Sequence, residues 1–161
     1  MKTIENLSLS GRRALVRVDF NVPLTEDGHV ANDKRIIATL PTIRYLADQG
    51  AKVILLSHLG RPKAAPELKY SLRPVAEALA VHLRRPVGFC EETIGAKADA
   101  AVSALEPGDI LLLENVRFYP GEERGDADFA AQLAIGASRA VRQSQYPRRL
   151  SSDHLKTAER R

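Results

Sequence analysis

The sequence predicts an α/β fold, with a parallel β-sheet covered by helices. Apolar runs of strand length alternate with segments of helical periodicity, and the strand-like runs recur at intervals of roughly 25–40 residues. The run Ile110-Leu111-Leu112-Leu113 is apolar without alternation, as expected of a strand buried on both faces.

The first strand is Arg13-Ala14-Leu15-Val16-Arg17-Val18, an apolar, partly alternating run. Asp33 can cap the helix that follows. Ile36, Leu40, Ile43 and Ala47 fall on one of its faces, and Gly50 stands at the position past its end that favours glycine. Pro41 predicts a kink or break inside this helix. Lys52 to Ser57 is the second strand. Ser71 can cap the next helix, with Pro74 in its first turn and Val75, Leu79 and Leu83 facing inward. Pro86 to Cys90 gives a short third strand, and Ala96 to Leu105 a helix closed by Pro107-Gly108. After the fourth strand, Asp126 or Gly125 opens a last helix containing Phe129 and Leu133. Such βαβ units connect with right-handed crossovers.

A chain of 161 residues can bury a core, and its 44% hydrophobic and 27% charged residues suit a soluble globular protein. There is no apolar run near membrane-spanning length and no signal-peptide pattern in MKTIENLSLSG, so no membrane partner is expected. The single cysteine, Cys90, has no internal disulfide partner, which suits a reducing, cytoplasmic location. The net charge of +4 is unevenly placed. Residues 1–134 carry 17 Lys and Arg against 18 Asp and Glu, whereas residues 135–161 carry 7 against 2. The basic character therefore belongs to an Arg- and Ser-rich segment without sustained apolar periodicity. It is expected to be disordered and to contribute little to a core.

In parallel sheets ligands bind beyond the C-terminal ends of the strands. There the sequence offers Asp19-Phe20-Asn21 after the first strand, His58-Leu59-Gly60-Arg61 after the second, and Glu114-Asn115-Val116-Arg117 after the fourth; Arg35 begins the first helix. Guanidinium groups bind phosphate or carboxylate in bidentate fashion and stay charged at any working pH. His58 can add hydrogen bonds, Asp19 and Asn21 can orient a hydroxyl, and Gly60 allows close backbone approach. Each residue also has an ordinary structural role open to it. Asp19 and Asn21 can organise a turn, His58 can be structural, and Arg61 and Arg117 can be surface ion-pair partners. Convergence of several such residues at the ligand-binding edge favours a site for a small anion. No GxxxxGK[ST] loop, GxGxxG, CxxC or GxSxG pattern is present, and His29, His58 and His82 lack metal-ligand spacing. The pairs Glu91-Glu92 and Glu122-Glu123 read as solvated loop charges.

The runs RVDFNVPL, DKRI, SHLGRP and LLLENVRFYPGEE, in this order and spacing, resemble phosphoglycerate kinase over residues 1 to about 134. The resemblance implies a Rossmann-like parallel sheet with helices on both faces, as in an incomplete N-terminal domain of that family. It also implies glycolytic phosphoryl transfer between 1,3-bisphosphoglycerate and ADP, giving 3-phosphoglycerate and ATP. Asp19 and Asn21 would then contact the glycerate hydroxyl and carboxylate. His58, Arg61 and Arg117 would hold the non-transferred phosphate, and Arg35 would act as the catalytic cation on the transferring phosphoryl group. Phe20, Leu59 and Gly60 complete the implied substrate-binding set. The family is typically monomeric, and its other domain binds Mg-ATP or Mg-ADP, neither of which is expected to bind this chain.

After Ala134 the likeness stops. No counterpart of the family's next strand and AHR-containing motif is present, and Arg139 and Arg142 stand in surroundings that do not match it. Two readings follow. In the first, the chain is a fragment of the enzyme whose residues 135–161 are an unrelated or frameshifted tail. It would lack catalysis by itself and expose an unpaired sheet edge. In the second, it is a non-catalytic anion-binding module whose basic tail takes a polyanion in a salt-sensitive way, without specific nucleic-acid recognition.

Overall fold

Backbone pairing organises the molecule. The computed structural model describes residues 4–63, 65–135 and 139–142. Five parallel strands, β1 (Arg13–Arg17), β2 (Lys52–Leu56), β3 (Gly88–Cys90), β4 (Ile110–Leu113) and β5 (Arg139–Arg142), form one sheet in the order β3-β4-β2-β1-β5. The register sets Arg17 opposite Leu56 and Leu55 opposite Leu112, so β1, β2 and β4 end at one rim.

The sheet is two-faced, and the alternation of its side chains shows why. Ala14, Val16, Val53, Leu55, Ile110 and Leu112 point into one core, shared with α1 (Lys34–Asp48) and α2 (Arg73–Leu83). Their neighbours Leu15, Ile54, Leu56, Leu111 and Leu113 point into a second core, under α3 (Ala96–Ser103) and α5 (Ala127–Ile135). Helices on both faces remove water from both sides of the sheet, which is why β4 has no polar alternation.

Several local expectations hold. Val75, Leu79 and Leu83 of α2 are buried, and Pro74 sits in its first turn. Gly50 follows α1 with φ +78°, its amide donating to the Ala47 carbonyl. Asp126 caps α5, its Oδ1 accepting from the amides of Asp128 and Phe129. Gly125 instead closes a separate short helix, α4 (Pro120–Arg124), in the left-handed conformation.

Others need correction. α1 runs through Pro41 as one helix. Pro41 and Ile37 are exposed, so the Ile37 carbonyl that loses a helical donor lies on the solvent side, where losing it costs little. Asp33 makes no capping bond; its carboxylate pairs with His82 Nε2 at 2.9 Å, and Asn32 Oδ1 accepts from the Lys34 amide instead. The position before α2 is held by Leu72, with Ser71 Oγ accepting from the Arg73 amide. Within the segment expected to be disordered and to contribute little to a core, Arg139–Arg142 forms β5 and pairs with β1, Leu15 opposite Ala140. A parallel ladder is made by backbone groups, which apolar periodicity does not report. Residues 143–161, expected to be disordered, lie outside the described residues. β5 is itself the last strand on that side of the sheet.

Leu79 lies fully buried between α2 and the sheet. Replacing it with Ala is expected to lower stability by about 2–5 kcal/mol, read as a lower urea midpoint with unchanged slope.

Candidate anion-binding site

The loops at the C-terminal rim are positioned by apolar anchors. Val18, Phe20 and Val22 after β1, Leu59 after β2 and Leu72 before α2 all belong to the α1–α2 core. The side chains of Phe20 and Leu59, two residues of the implied substrate-binding set, are buried in the core. What they offer at the surface is backbone.

Hydrogen bonds then lock the loops to one another. The Phe20 amide donates to Ser57 Oγ at 2.9 Å, tying the β1 loop to the end of β2. Asn21 Oδ1 accepts from the Gly60 amide at 2.9 Å, and Asp19 Oδ1 accepts from the Asn21 amide. The buried Asn115 joins the third loop. Its Nδ2 donates to the carbonyls of Leu59 (2.7 Å) and Tyr70 (3.0 Å), while its Oδ1 accepts from the Arg117 amide. Beside it, buried Glu114 accepts from the amides of Leu72 and Asn115 and from Ser71 Oγ. Gly60 takes φ +61°, and a Cβ there would run into the Tyr70 ring. The close approach that needs glycine is therefore to a side chain of the protein itself.

Onto this frame the cations are mounted. Arg117 Nη1 donates to the Gly60 carbonyl at 3.0 Å. Its Nε is buried without a hydrogen-bond partner; carboxylate oxygens of Glu123 and Glu122 lie 3.6 and 3.8 Å away, close enough for attraction but too far to accept the proton. His58 Nδ1 is likewise buried and unpartnered. Arg35 reaches back to Asp19, Nη1 to Oδ2 at 2.6 Å. Arg61 is exposed and makes no hydrogen bond or ion pair with another described residue.

The structure thus links Asp19, Asn21, Arg35, Gly60 and Arg117 in one contact network with His58 beside it, while Arg61 stands at its margin. Two members escape sequence reading. Arg17, at the end of β1, acts electrostatically on His58 and pairs with Glu122, Nη2 to Oε1 at 2.6 Å. Glu122 is therefore not a solvated loop charge, although Glu123, Glu91 and Glu92 remain more exposed. The one sequence signal for Arg17 is a charge that closes the apolar run Ala14-Leu15-Val16 at the strand's C-terminal end.

Burial, then the guanidinium groups of Arg117 and Arg17, hold the His58 imidazole below its ordinary pKa of 6.5, with Asp19 and Glu122 pulling the other way. Cations crowded around an imidazole with an unused ring nitrogen make a place where an added anion relieves strain in charge.

Phosphoglycerate kinase is the family whose model matches, over residues 4–142. A phosphoglycerate kinase of Desulforudis audaxviator is 56% identical over 133 residues, covering 83% of this chain and 34% of that protein. One from Chloroflexus aggregans is 58% identical over 135 residues, with the same coverage. Among solved structures, phosphoglycerate kinase from Coxiella burnetii superposes with a TM-score of 0.77 at 36% identity, over 87% of this chain and 34% of that one. The enzyme from Pyrococcus horikoshii gives a TM-score of 0.77 at 30% identity, over 89% and 36%. The chain spans about a third of the length of these relatives.

His58 also gives the site a pH signature. Because the folded state disfavours its protonation, the unfolded chain binds that proton more readily. Stability should therefore fall as pH drops from the ordinary histidine value through the depressed one, and His58 should impose no cost above that window. Proton NMR titration should place the His58 midpoint below that of an unfolded reference, and inorganic phosphate should move it upward. With the family model matched over residues 4–142 and the sheet superposing on solved members of the family, the chain belongs to the phosphoglycerate kinase family.

Proposed function

We propose that this chain forms the acceptor side of a phosphoglycerate kinase, binding 3-phosphoglycerate or 1,3-bisphosphoglycerate at the rim of β1, β2 and β4. The observation that carries this reading is the pair of buried, unpartnered nitrogens, His58 Nδ1 and Arg117 Nε, in a cluster of arginines. The Arg117 Nε–H is always a donor, and a buried donor without an acceptor is costly; an anionic ligand supplies the acceptor.

In this reading His58, Arg61 and Arg117 hold the non-transferred phosphate. Asp19 and Asn21 take the glycerate hydroxyl and carboxylate, and the backbone of Phe20, Leu59 and Gly60 forms the wall between them. Arg35 leaves Asp19 to meet the transferring phosphoryl group. Transfer to or from a carboxylate needs no general base, since a carboxylate is already a nucleophile. It needs alignment, charge neutralisation and exclusion of water. Mg-ADP or Mg-ATP is the second substrate. The 161-residue chain by itself is expected to bind the acceptor without turnover.

Calorimetric titration with 3-phosphoglycerate tests the binding. Arg117→Ala should weaken it ~10- to 100-fold, the worth of a charged hydrogen-bonded contact, and unchanged affinity would remove Arg117 from the site. A coupled assay on the purified chain should show no turnover above background.

A further inference from the structure

We propose that Glu122 is a selectivity-determining residue of the anion site. It is a resident carboxylate on the pocket's arginines, which a ligand has to displace and which a phosphate dianion displaces better than a lone carboxylate. This rests on the reading of the rim as an anion pocket.

Glu122 and Glu123 are neighbours on α4, but they differ in placement. The Glu122 side chain is 15% exposed and that of Glu123 is 72% exposed. Glu122 turns inward, where one oxygen pairs with Arg17 at 2.6 Å and the other lies 3.8 Å from Arg117 Nε. It therefore sits between two guanidinium groups that flank His58, and it is among the charges acting on that imidazole. The helix that carries it is only five residues long and ends at Gly125 in the left-handed conformation. Phe129 of α5 closes over Gly121, so α4 is a short piece seated on α5.

The consequence for selectivity is electrostatic. A carboxylate ligand offers Arg17 and Arg117 one negative charge, no more than Glu122 already supplies. A phosphate dianion offers twice that charge and three acceptor oxygens, enough to take over both guanidinium groups and the unpartnered His58 Nδ1. An internal competitor thus discriminates against the weaker anion by the contacts that anion fails to replace.

The test compares the chain with its Glu122→Gln variant, titrated with 3-phosphoglycerate and with glycerate, which lacks the phosphate. The original chain should bind 3-phosphoglycerate and discriminate strongly against glycerate. The variant should bind 3-phosphoglycerate at least ~fivefold more tightly, since even a solvent-exposed ion pair can be worth that much, and its preference over glycerate should shrink. Weaker or unchanged 3-phosphoglycerate binding by the variant would overturn the proposal, because Glu122 would then be a tether that positions the arginines. Failure of both proteins to bind either compound would instead overturn the reading of the rim as an anion pocket. A second measurement needs no variant. On addition of 3-phosphoglycerate, amide hydrogen exchange at residues 121–125 should accelerate as Glu122 is released. Unchanged or slowed exchange there, with binding confirmed, would also overturn the proposal.

Discussion

Everything at the rim depends on the buried pair that follows β4. Glu114 and Asn115 enter the interior as polar side chains, and there each must find partners or destabilise the fold. Asn115 spends its amide on the carbonyls of Leu59 and Tyr70 and its oxygen on the Arg117 amide. Glu114 takes two backbone amides and a hydroxyl, while its own carbonyl accepts from Thr93. A network with all its members satisfied fixes one geometry, whereas apolar side chains in the same volume leave a choice of packings. The loops after β1 and β2 gain their shape through this pair, by way of Gly60 and Asn21.

The charges above that frame are deliberately unbalanced. Asp19 answers Arg35 and Glu122 answers Arg17, but Arg117 Nε and His58 Nδ1 have no acceptor within reach. Arg117 also braces the frame through the Gly60 carbonyl, whereas the more exposed Arg35 pair contributes little to stability. His58 records the imbalance most directly, since its neighbours make it harder to protonate.

What sequence makes legible follows from what each signal measures. β2 and β4 are legible as continuous apolar runs because burial on both faces removes polar alternation, and successive side chains such as Val53, Ile54 and Leu55 then enter opposite cores. The strand ends gave up Asp19, Asn21, His58 and Arg117 for the same reason, because topology places them. β5 escaped because its pairing is a property of the backbone. Asp33 was read as a cap by residue type, but His82, distant in sequence, competes for its carboxylate. Glu122 looked identical to Glu123, and only the turn of α4 separates an inward acid from a solvated one.

The contact between Gly60 and the Tyr70 ring has an evolutionary consequence. Any side chain at position 60 meets the ring, and the left-handed backbone there resists side chains independently. Position 70 can shrink while 60 stays glycine, but 60 cannot grow while 70 stays aromatic. Any side chain at 60 thus requires a smaller residue at 70 first, and the left-handed backbone still favours glycine after that.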